Sequence, residues 1–268
     1  MGGYVTGPAL LAAKLLGIPT AIHEQNSVPG LTNRLTGRFV DRICISLPCS
    51  PAFPPAKTVQ TGNPVRATIL EAAERERRVL SPGERPHLLV LGGSQGARAV
   101  NRLMVAAAAL LREQGQLPAI KHQTGRADAD SVQADYAKAG VEAEVLPFIE
   151  DMAAAYTWAD LVLSRAGATS LAELAVMGLP AVLVPYPYAA DDHQATNAAH
   201  YVQGGGALAF READLTPETL AEHLQTLLSD AARLTQMGQA MRNLALPDAT
   251  ERLVDECLAL TAVPQLRS

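Results

Sequence analysis

The stretch 88-LLVLGGSQGARAVN-101 decides how this chain folds. Its first residues are apolar and predict a buried β-strand, its glycines predict a tight turn, and the residues from Ala97 onward have the pattern of a helix. Glycines let a backbone approach a ligand closely, and the free N–H groups at the start of a helix attract an anion such as a diphosphate. Ser94 adds a hydroxyl donor. Since the loop is neither a G-x-G-x-x-G nor a Walker A motif, it is by itself equally consistent with an ordinary strand-to-helix turn.

The chain downstream of this stretch repeats the alternation of short apolar runs and helical segments. The predicted strands cover residues 87–93, 119–125, 143–148, 161–167, 180–187 and 206–212. Continuously apolar strands separated by helices are typical of a parallel sheet that is covered on both faces. We therefore predict an α/β fold in which these runs form one doubly wound, Rossmann-like sheet.

The first part of the chain predicts only part of a second α/β unit. It contains helices at 7–17 and after Pro29-Gly30, strands at 19–26 and 42–46, and a short strand at 58–62. The turn-forming residues Gly62, Asn63 and Pro64 then indicate a hinge. We predict a partial N-terminal lobe at 1–63, a C-terminal lobe at 64–246 and a final helical segment at 247–268.

The composition argues against several classes of function. The chain has 268 residues, 48% of them hydrophobic and 18% charged, which is enough to bury a sizeable core. A net charge of -5, without a basic stretch interleaved with aromatic residues, argues against nucleic-acid binding. Cys44, Cys49 and Cys257 match neither a metal-binding nor a disulfide pattern, which predicts reduced thiols. No apolar run has the length of a membrane span, so membrane contact is expected to be peripheral.

A second candidate ligand turn is 164-SRAGATSLAEL-174, where another predicted strand runs into a helix. Thr169 or Ser170 is expected to cap this helix, with Glu173 near its first turn. A carboxylate there can accept hydrogen bonds from both hydroxyls of a ribose; the alternative is that Glu173 complements the helix dipole. Both turns lie at the carboxyl ends of parallel strands, where open α/β sheets bind ligands, so together they favour a nucleotide site.

A third polar cluster is 190-ADDHQATNAAH-200, which follows a predicted strand. Asp191 and Asp192 fit the start of a helix. His193, Gln194 and Asn197 are harder to explain in that way, and side-chain amides suit the hydroxyls of a sugar. A metal site at His193 is not favoured, because the residue four positions later is Asn197, which is not a usual ligand.

The fourth cluster is 22-IHEQNSVPGLTNR-34, at the carboxyl end of a predicted strand. His23 and Glu24 are candidates for a general acid or base, or are ordinary polar residues of a loop. The sequence shows no Cys/His nucleophile arrangement, which argues against a cysteine-based covalent hydrolase mechanism.

Eight strings in the same order along nearly the whole chain resemble the MurG family of bacterial glycosyltransferases. They are MGGYVTGP, GIPTAIHEQN, PGLTNR, TGNPVR, LGGSQGA, FIEDMAAAY, SRAGATSLAE and DDHQATNA. The resemblance implies a GT-B fold, in which two Rossmann-like lobes face each other across a cleft and the last helix crosses back to the N-terminal lobe. It also implies an inverting transfer of N-acetylglucosamine from UDP-N-acetylglucosamine to the C4 hydroxyl of an undecaprenyl-diphosphate-linked muramyl-pentapeptide. The enzyme would act without cofactor or metal, at the cytoplasmic face of the cell membrane.

The same resemblance implies roles for individual residues on the nucleotide side of the cleft. Ser94 and its loop amides would contact the diphosphate, Glu173 the ribose hydroxyls, and the backbone of Ile149 the uracil edge. Arg66 would lie near the nucleotide at the hinge. The donor site would further be lined by Ala168, Thr169, Ser170, Leu171 and Ala172.

The sugar side of the cleft is assigned in the same way. His193 and Gln194 would reach the N-acetylglucosamine, with Asn197 nearby. Asn26, Glu24 and Tyr4 would approach from the other lobe.

This chain departs from the family pattern at its start. The family begins with a strand and a Gly-Gly-Thr-Gly-Gly-His loop, whereas this sequence opens within a later motif. We therefore expect it to bind the donor but to transfer little of it, and we expect apolar strand edges and helix faces to be exposed around 19–23 and 42–46. A catalytically inert binding fragment is the alternative function. A UDP-N-acetylglucosamine 2-epimerase shares the two-lobe fold, but HEQN, PGLTNR and NPVR argue against it.

Overall fold

A computed structural model describes residues 5–75, 78, 80, 81, 83–92 and 97–262. Ser94 and Tyr4 lie outside the described residues. The strands are β1 (Ala21–Glu24), β2 (Arg42–Ile45), β3 (Thr58–Gln60), β4 (His87–Leu91), β5 (Ala119–Gln123), β6 (Ala143–Leu146), β7 (Leu161–Ser164), β8 (Ala181–Leu183) and β9 (Ala207–Ala209). The α-helices are α1 (Thr6–Leu15), α2 (Leu31–Thr36), α3 (Ala67–Ala73), α4 (Arg98–Glu113), α5 (Ala129–Lys138), α6 (Met152–Trp158), α7 (Ala168–Met177), α8 (His193–Gln203), α9 (Pro217–Leu228), α10 (Ala231–Asn243) and α11 (Ala249–Ala262).

The larger sheet has six strands in the order β6-β5-β4-β7-β8-β9, and its pairings are all parallel. The predicted doubly wound α/β sheet is thereby confirmed. The order reverses beside β4, so the crevice between the β4 and β7 ends is the position at which such sheets bind ligands.

β4 is apolar from Leu88 to Leu91 because both of its faces are buried. Leu88 and Val90 point into one buried cluster, which α4 and α9 cover, while Leu89 and Leu91 point into a second cluster on the opposite face, which α3, α6 and α7 cover. Successive strand residues face opposite sides of a sheet, so a strand that is covered on both sides has no solvent-facing position.

The smaller sheet has three parallel strands in the order β1-β2-β3. Helix α11 packs against β2, and Arg42 Nε lies 2.8 Å from Glu256 Oε2. The last helix of the described chain thus returns to the N-terminal sheet. Between the sheets, Gly62 has a φ of +86°, and a Cβ there would lie 2.8 Å from the Cβ of Leu246. The lobe boundaries at 63/64 and 246/247 stay predictions.

The expected apolar exposure on the N-terminal lobe is found on its helix faces and not at the core positions of its strands. Ile22 is 5% exposed and Ile43 is 0% exposed, because Phe53 and Val40 pack against them. The exposed apolar side chains lie instead on or beside α1 and α2, and they are Val5, Leu11, Leu15, Leu16, Ile18, Leu31 and Leu35.

Candidate functional site

The candidate site lies at the carboxyl edge of the six-stranded sheet, on the side that faces the N-terminal sheet. The turns after β6, β7 and β8 come to this edge because their strands are parallel. Ile149, in the turn after β6, is buried, and Asp151 caps α6 by accepting from the backbone N–H of Ala154 at 2.9 Å. The loop centred on Ser94 is outside the described residues, so its place in the site stays a prediction.

The strand that leads into this loop is held by a buried polar network. The N–H of Gly92 donates to the carbonyl of Gln123 at 2.8 Å, and a Cβ on Gly92 would come within 3.1 Å of Asn101 Oδ1. Asn101 in turn bonds His122, whose other ring nitrogen bonds Tyr136. Burial lowers the pKa of His122 to about 3, so this histidine is neutral and has a structural role.

Helix α7 places Glu173 at the floor of the cleft. Gly167 precedes the helix as its N-cap, so the predicted capping by Thr169 or Ser170 is wrong; both lie inside the helix. The described first turn contains no acidic residue, because Glu173 sits one turn deeper. The dipole explanation for Glu173 therefore fails, since that effect is confined to the first turn.

The Glu173 carboxylate has a partner on each oxygen. Arg66 donates to Oε1 from Nε at 3.2 Å and from Nη2 at 3.1 Å, while the Tyr156 hydroxyl donates to Oε2 at 2.9 Å. Glu173 is 6% exposed, and such a buried carboxylate requires both charge and hydrogen-bond partners. Burial and then the Glu173 charge raise the pKa of Tyr156 well above its usual value, so the phenol stays a proton donor.

Asn197, on α8, joins the two sheets. Its Oδ1 accepts from the N–H of Ser27 at 2.8 Å and from the Ser27 hydroxyl at 3.1 Å. Its Nδ2 donates to Asn26 Oδ1 at 3.0 Å and to the Ala166 carbonyl at 3.3 Å. Asn197 is 0% exposed, so its amide is used within the protein. These contacts favour a structural role over the predicted position beside the sugar.

Gln194 lies one turn before Asn197 on α8 and bonds the same turn, the one that follows β7. Its Oε1 accepts from the N–H of Ala166 at 3.2 Å and from the N–H of Tyr186 at 2.9 Å. The turns after β7 and β8 are thereby held together. Gln194 orients its amide through the oxygen, which leaves the NH₂ end as the group for a ligand.

The residues before α8 have unusual backbone geometry. Asp191 has a φ of 50° and Asp192 a φ of 54°, a left-handed conformation that is uncommon outside glycine. A bidentate pair from Arg211 to Asp192, at 2.6 Å on each oxygen, supports this turn. His193 Nδ1 lies 2.8 Å from the Ala190 carbonyl, so the ring's other nitrogen is the one available to a ligand.

The two candidate acid/base residues are engaged in local contacts. Glu24 is 4% exposed; its Oε1 accepts from the N–H of Asn26 at 3.0 Å, and its Oε2 accepts from the N–H of Gly30 at 3.1 Å and from Asn33 Nδ2 at 2.8 Å. These bonds shape the loop that carries Asn26. His23 Nε2 lies 3.0 Å from the Gly62 carbonyl, at the hinge, and burial lowers the pKa of His23. Both contact sets favour structural roles.

The structure therefore brings together most of the predicted residues that it describes. Asn197 and Gln194 both bond the Ala166 peptide, and Asn197 also bonds Asn26. Arg66 meets Glu173 in the second turn of α7. The remaining α7 residues of the prediction, from Ala168 to Ala172, form the helix start between these contacts.

Sequence reasoning missed three residues of this site: Tyr156, Asn63 and Ser27. Asn63 Nδ2 lies 3.4 Å from Thr169 Oγ1, which adds a second bond between the hinge and α7. Each of the three stands within or next to a string that was recognised, but a buried tyrosine and two loop residues have no local pattern that assigns them a partner.

Within the part of the chain that the structure describes, no group of three or more His, Cys, Asp or Glu side chains is placed to hold a metal ion. Among the same residues, no helix combines the length and apolar character needed to cross a bilayer.

Comparison with known proteins agrees with this geometry. Residues 87–253 match the glycosyltransferase family 28 C-terminal domain, and residues 1–45 match the N-terminal domain of the same family. A protein of Desulfotalea psychrophila, named UDP-N-acetylglucosamine--N-acetylmuramyl-(pentapeptide) pyrophosphoryl-undecaprenol N-acetylglucosamine transferase, is 49% identical over 263 residues, which are 97% of this chain and 70% of that protein. The crystal structure of Acinetobacter baumannii MurG is 40% identical with a TM-score of 0.80, covering 95% of this chain and 72% of that one.

The epimerase alternative shares only the architecture. The UDP-GlcNAc 2-epimerase from Neisseria meningitidis, solved bound to UDP-GlcNAc, has a TM-score of 0.63 but an identity of 13%, over 95% of this chain and 73% of that one. A similarity at that level indicates a common fold and says nothing of a common reaction.

Proposed function

The chain belongs to the MurG family within glycosyltransferase family 28, and we propose that it acts on UDP-N-acetylglucosamine. The reaction is the transfer of N-acetylglucosamine, with inversion, to the C4 hydroxyl of an undecaprenyl-diphosphate-linked N-acetylmuramyl-pentapeptide. The product is the lipid-linked disaccharide from which peptidoglycan is built.

The observation that carries this proposal is the position of Glu173. It is a buried carboxylate in the second turn of a helix whose start faces the cleft, and its two oxygens are held from different helices by Arg66 and Tyr156. Oε1 already accepts two N–H bonds from Arg66, whereas Oε2 accepts the Tyr156 hydroxyl and retains a lone pair. One hydroxyl of a ribose diol could therefore bond Oε2 directly, and the other would take the place of an Arg66 bond on Oε1. A fixed diol acceptor one turn from a helix N-terminus suits a nucleoside diphosphate.

The chemistry that this arrangement supports is a direct displacement. The helix start at Ala168 and the loop before Arg98 would hold the diphosphate, whose negative charge grows as the sugar leaves. Gln194, fixed through its oxygen, would present its NH₂ group to the sugar. The acceptor would enter from the side of the N-terminal sheet, where Asn26 is held by Glu24. We assign Glu24 the role of organising this loop, and the general base is unassigned.

The proposed contact with the membrane rests on the side chains that the N-terminal lobe exposes. Exposed apolar side chains on α1 and α2, such as Leu11 and Leu35, stand on the same small lobe as the exposed Arg34 and Arg38, while Lys14 is paired with Asp41. An apolar surface with basic neighbours suits the interface of a bilayer that contains anionic lipids. We place the protein peripherally at the cytoplasmic face of the cell membrane, where its lipid-linked acceptor would be found.

The test of the proposed function separates binding from transfer. Isothermal titration calorimetry with UDP-N-acetylglucosamine measures donor binding, and a radiolabelled donor with lipid-linked muramyl-pentapeptide in detergent measures transfer. Saturable binding together with transfer would support the proposed reaction, whereas the sequence analysis predicts binding with little transfer. Binding without transfer would favour the inert donor-binding alternative, and the absence of binding would refute both functions.

A further inference from the structure

We propose that Tyr156 is a positioning residue that fixes the orientation of the Glu173 carboxylate for a vicinal diol. The proposal rests on the proposed function, because it takes the diol to be the ribose of the UDP donor. It adds a role for a residue on α6, a helix that faces the sheet rather than the cleft.

The burial of Tyr156 makes its hydroxyl informative. The residue is 1% exposed and packs in the apolar cluster that includes Leu171 and Leu174 of α7. A phenylalanine would supply the same ring to this cluster, whereas a buried hydroxyl is unfavourable unless it is hydrogen-bonded. The hydroxyl donates to Glu173 Oε2 at 2.9 Å. Packing therefore requires only the ring of Tyr156. The hydroxyl serves to donate a hydrogen bond to the Glu173 carboxylate.

The two partners of Glu173 differ in how firmly they can hold it. The Arg66 side chain is 54% exposed, so solvent and a bound ligand both compete for its guanidinium. The phenol of Tyr156 is enclosed and has few rotatable bonds. The terminal torsion of a glutamate is broad, so without an enclosed partner the carboxylate would sample a range of rotations about its last bond. Tyr156 is therefore the partner that can set this torsion before the ligand arrives.

Pre-orientation of the Glu173 carboxylate affects binding of the ribose and leaves binding of the uracil and the diphosphate unchanged. If Tyr156 sets the rotation of the carboxylate, its loss weakens the bonds to the 2′ and 3′ hydroxyls and leaves the contacts to uracil and diphosphate as they were. If Tyr156 only supports the packing of α6 against α7, its loss weakens binding of every nucleotide that uses the site. The two roles therefore differ in their dependence on the ribose hydroxyls.

The experiment compares UDP with 2′,3′-dideoxy-UDP in calorimetry, using the whole chain and Tyr156→Phe. For the unchanged chain we expect UDP to bind roughly 10- to 100-fold more tightly than the dideoxy analogue, the scale of hydrogen bonds to a charged group. In Tyr156→Phe we expect UDP binding to fall by about 5- to 20-fold and dideoxy binding to change by less than about 2-fold. Tyr201→Phe, which alters another buried phenol at 4% exposure, is the matched control and should change neither.

A second variant keeps the proposal testable if the first one is less stable. Glu173→Gln should abolish most of the preference for UDP, and adding Tyr156→Phe to it should cost no further preference, because the two act through the same bonds. Additive losses in that cycle, an equal loss for both ligands in Tyr156→Phe, or unchanged UDP binding in Tyr156→Phe would each overturn the proposal. If the unchanged chain does not bind UDP, the proposed function fails, and this inference fails with it.

Discussion

Replacement of Asn197 by alanine should measure how strongly the two lobes are joined. The side chain is fully buried and bonds the N–H and hydroxyl of Ser27, the amide of Asn26 and the carbonyl of Ala166. Alanine removes every one of these bonds and leaves the Ser27 N–H without this acceptor in a buried position. A typical hydrogen bond contributes about 1 kcal/mol, and an orphaned buried group costs about 1–3 kcal/mol. We therefore expect the free energy of unfolding to fall by about 2–4 kcal/mol.

The assay is urea denaturation followed by two probes. Trp158, the single tryptophan of the chain, reports on the six-stranded sheet, and far-UV circular dichroism reports on both sheets. In the unchanged chain the two transitions should coincide, whereas in Asn197→Ala the circular dichroism transition should begin at lower urea than the fluorescence transition. Asn243→Ala, on the exposed face of α10, is the matched control and should stay within about 0.5 kcal/mol.

A double-mutant cycle gives the result that can refute this reasoning. Ser27→Ala should destabilise less than Asn197→Ala, and the two changes should be coupled by at least about 0.5 kcal/mol because they share bonds. If Asn197→Ala unfolds at the urea concentration of the unchanged chain, the contact between the sheets depends on other residues, and the structural role assigned to Asn197 is wrong.

Further predictions address the nucleotide, the hinge and the buried histidine. Glu173→Ala should weaken UDP binding by about 1–3 kcal/mol, and unchanged affinity in calorimetry would count against its role. Gly62→Ala should destabilise by about 1–3 kcal/mol more than Gly17→Ala in thermal or urea unfolding, because both have positive φ but only Gly62 would press a Cβ onto Leu246. His122 has a folded-state pKa below its unfolded value, so the unfolded chain binds more protons and stability falls as pH drops through 6.5 towards about 3. Between pH 7 and pH 5 this contribution should be about 2 kcal/mol, and His122→Gln should flatten the pH dependence of the urea midpoint by that amount.

The sequence was most informative where one residue pattern had one structural solution. Residues 88–91 are apolar at every position, a pattern typical of a strand that is covered on both faces, and Leu88 and Leu89 accordingly enter opposite clusters. The sequence was least informative about which apolar residues are exposed, because that depends on contacts between distant segments of the chain. The expected apolar exposure around 19–23 and 42–46 is found on the faces of α1 and α2 but not at the core positions of the strands, which Phe53 and α11 cover.

For the candidate site, the sequence predicted where residues lie but not which residues they contact. The strand-end positions of Glu173 and Gln194 follow from topology, since parallel strands deliver their carboxyl ends to one edge. The partners of those residues do not follow, because the contact between Glu173 and Tyr156 and the contact between Asn197 and Ser27 join segments that are distant in sequence. Local pattern predicted which residues are polar at the edge, and it could not separate those that face a ligand from those that hold the edge in place.

The start of α7 is where ligand binding and the joining of the lobes meet. Thr169 bonds Asn63 at the hinge, and the Ala166 peptide is bonded by Gln194 on its N–H and by Asn197 on its carbonyl. The same turn supplies the helix N-terminus that is proposed to hold a diphosphate. Asn197 also bonds Asn26 and Ser27, so a shift of the N-terminal sheet would pull on the peptide that precedes this helix. Donor affinity and lobe alignment should therefore be coupled, and the coupling is reciprocal by thermodynamic necessity. Weakening the join at Asn197 should lower donor affinity although that side chain touches only protein.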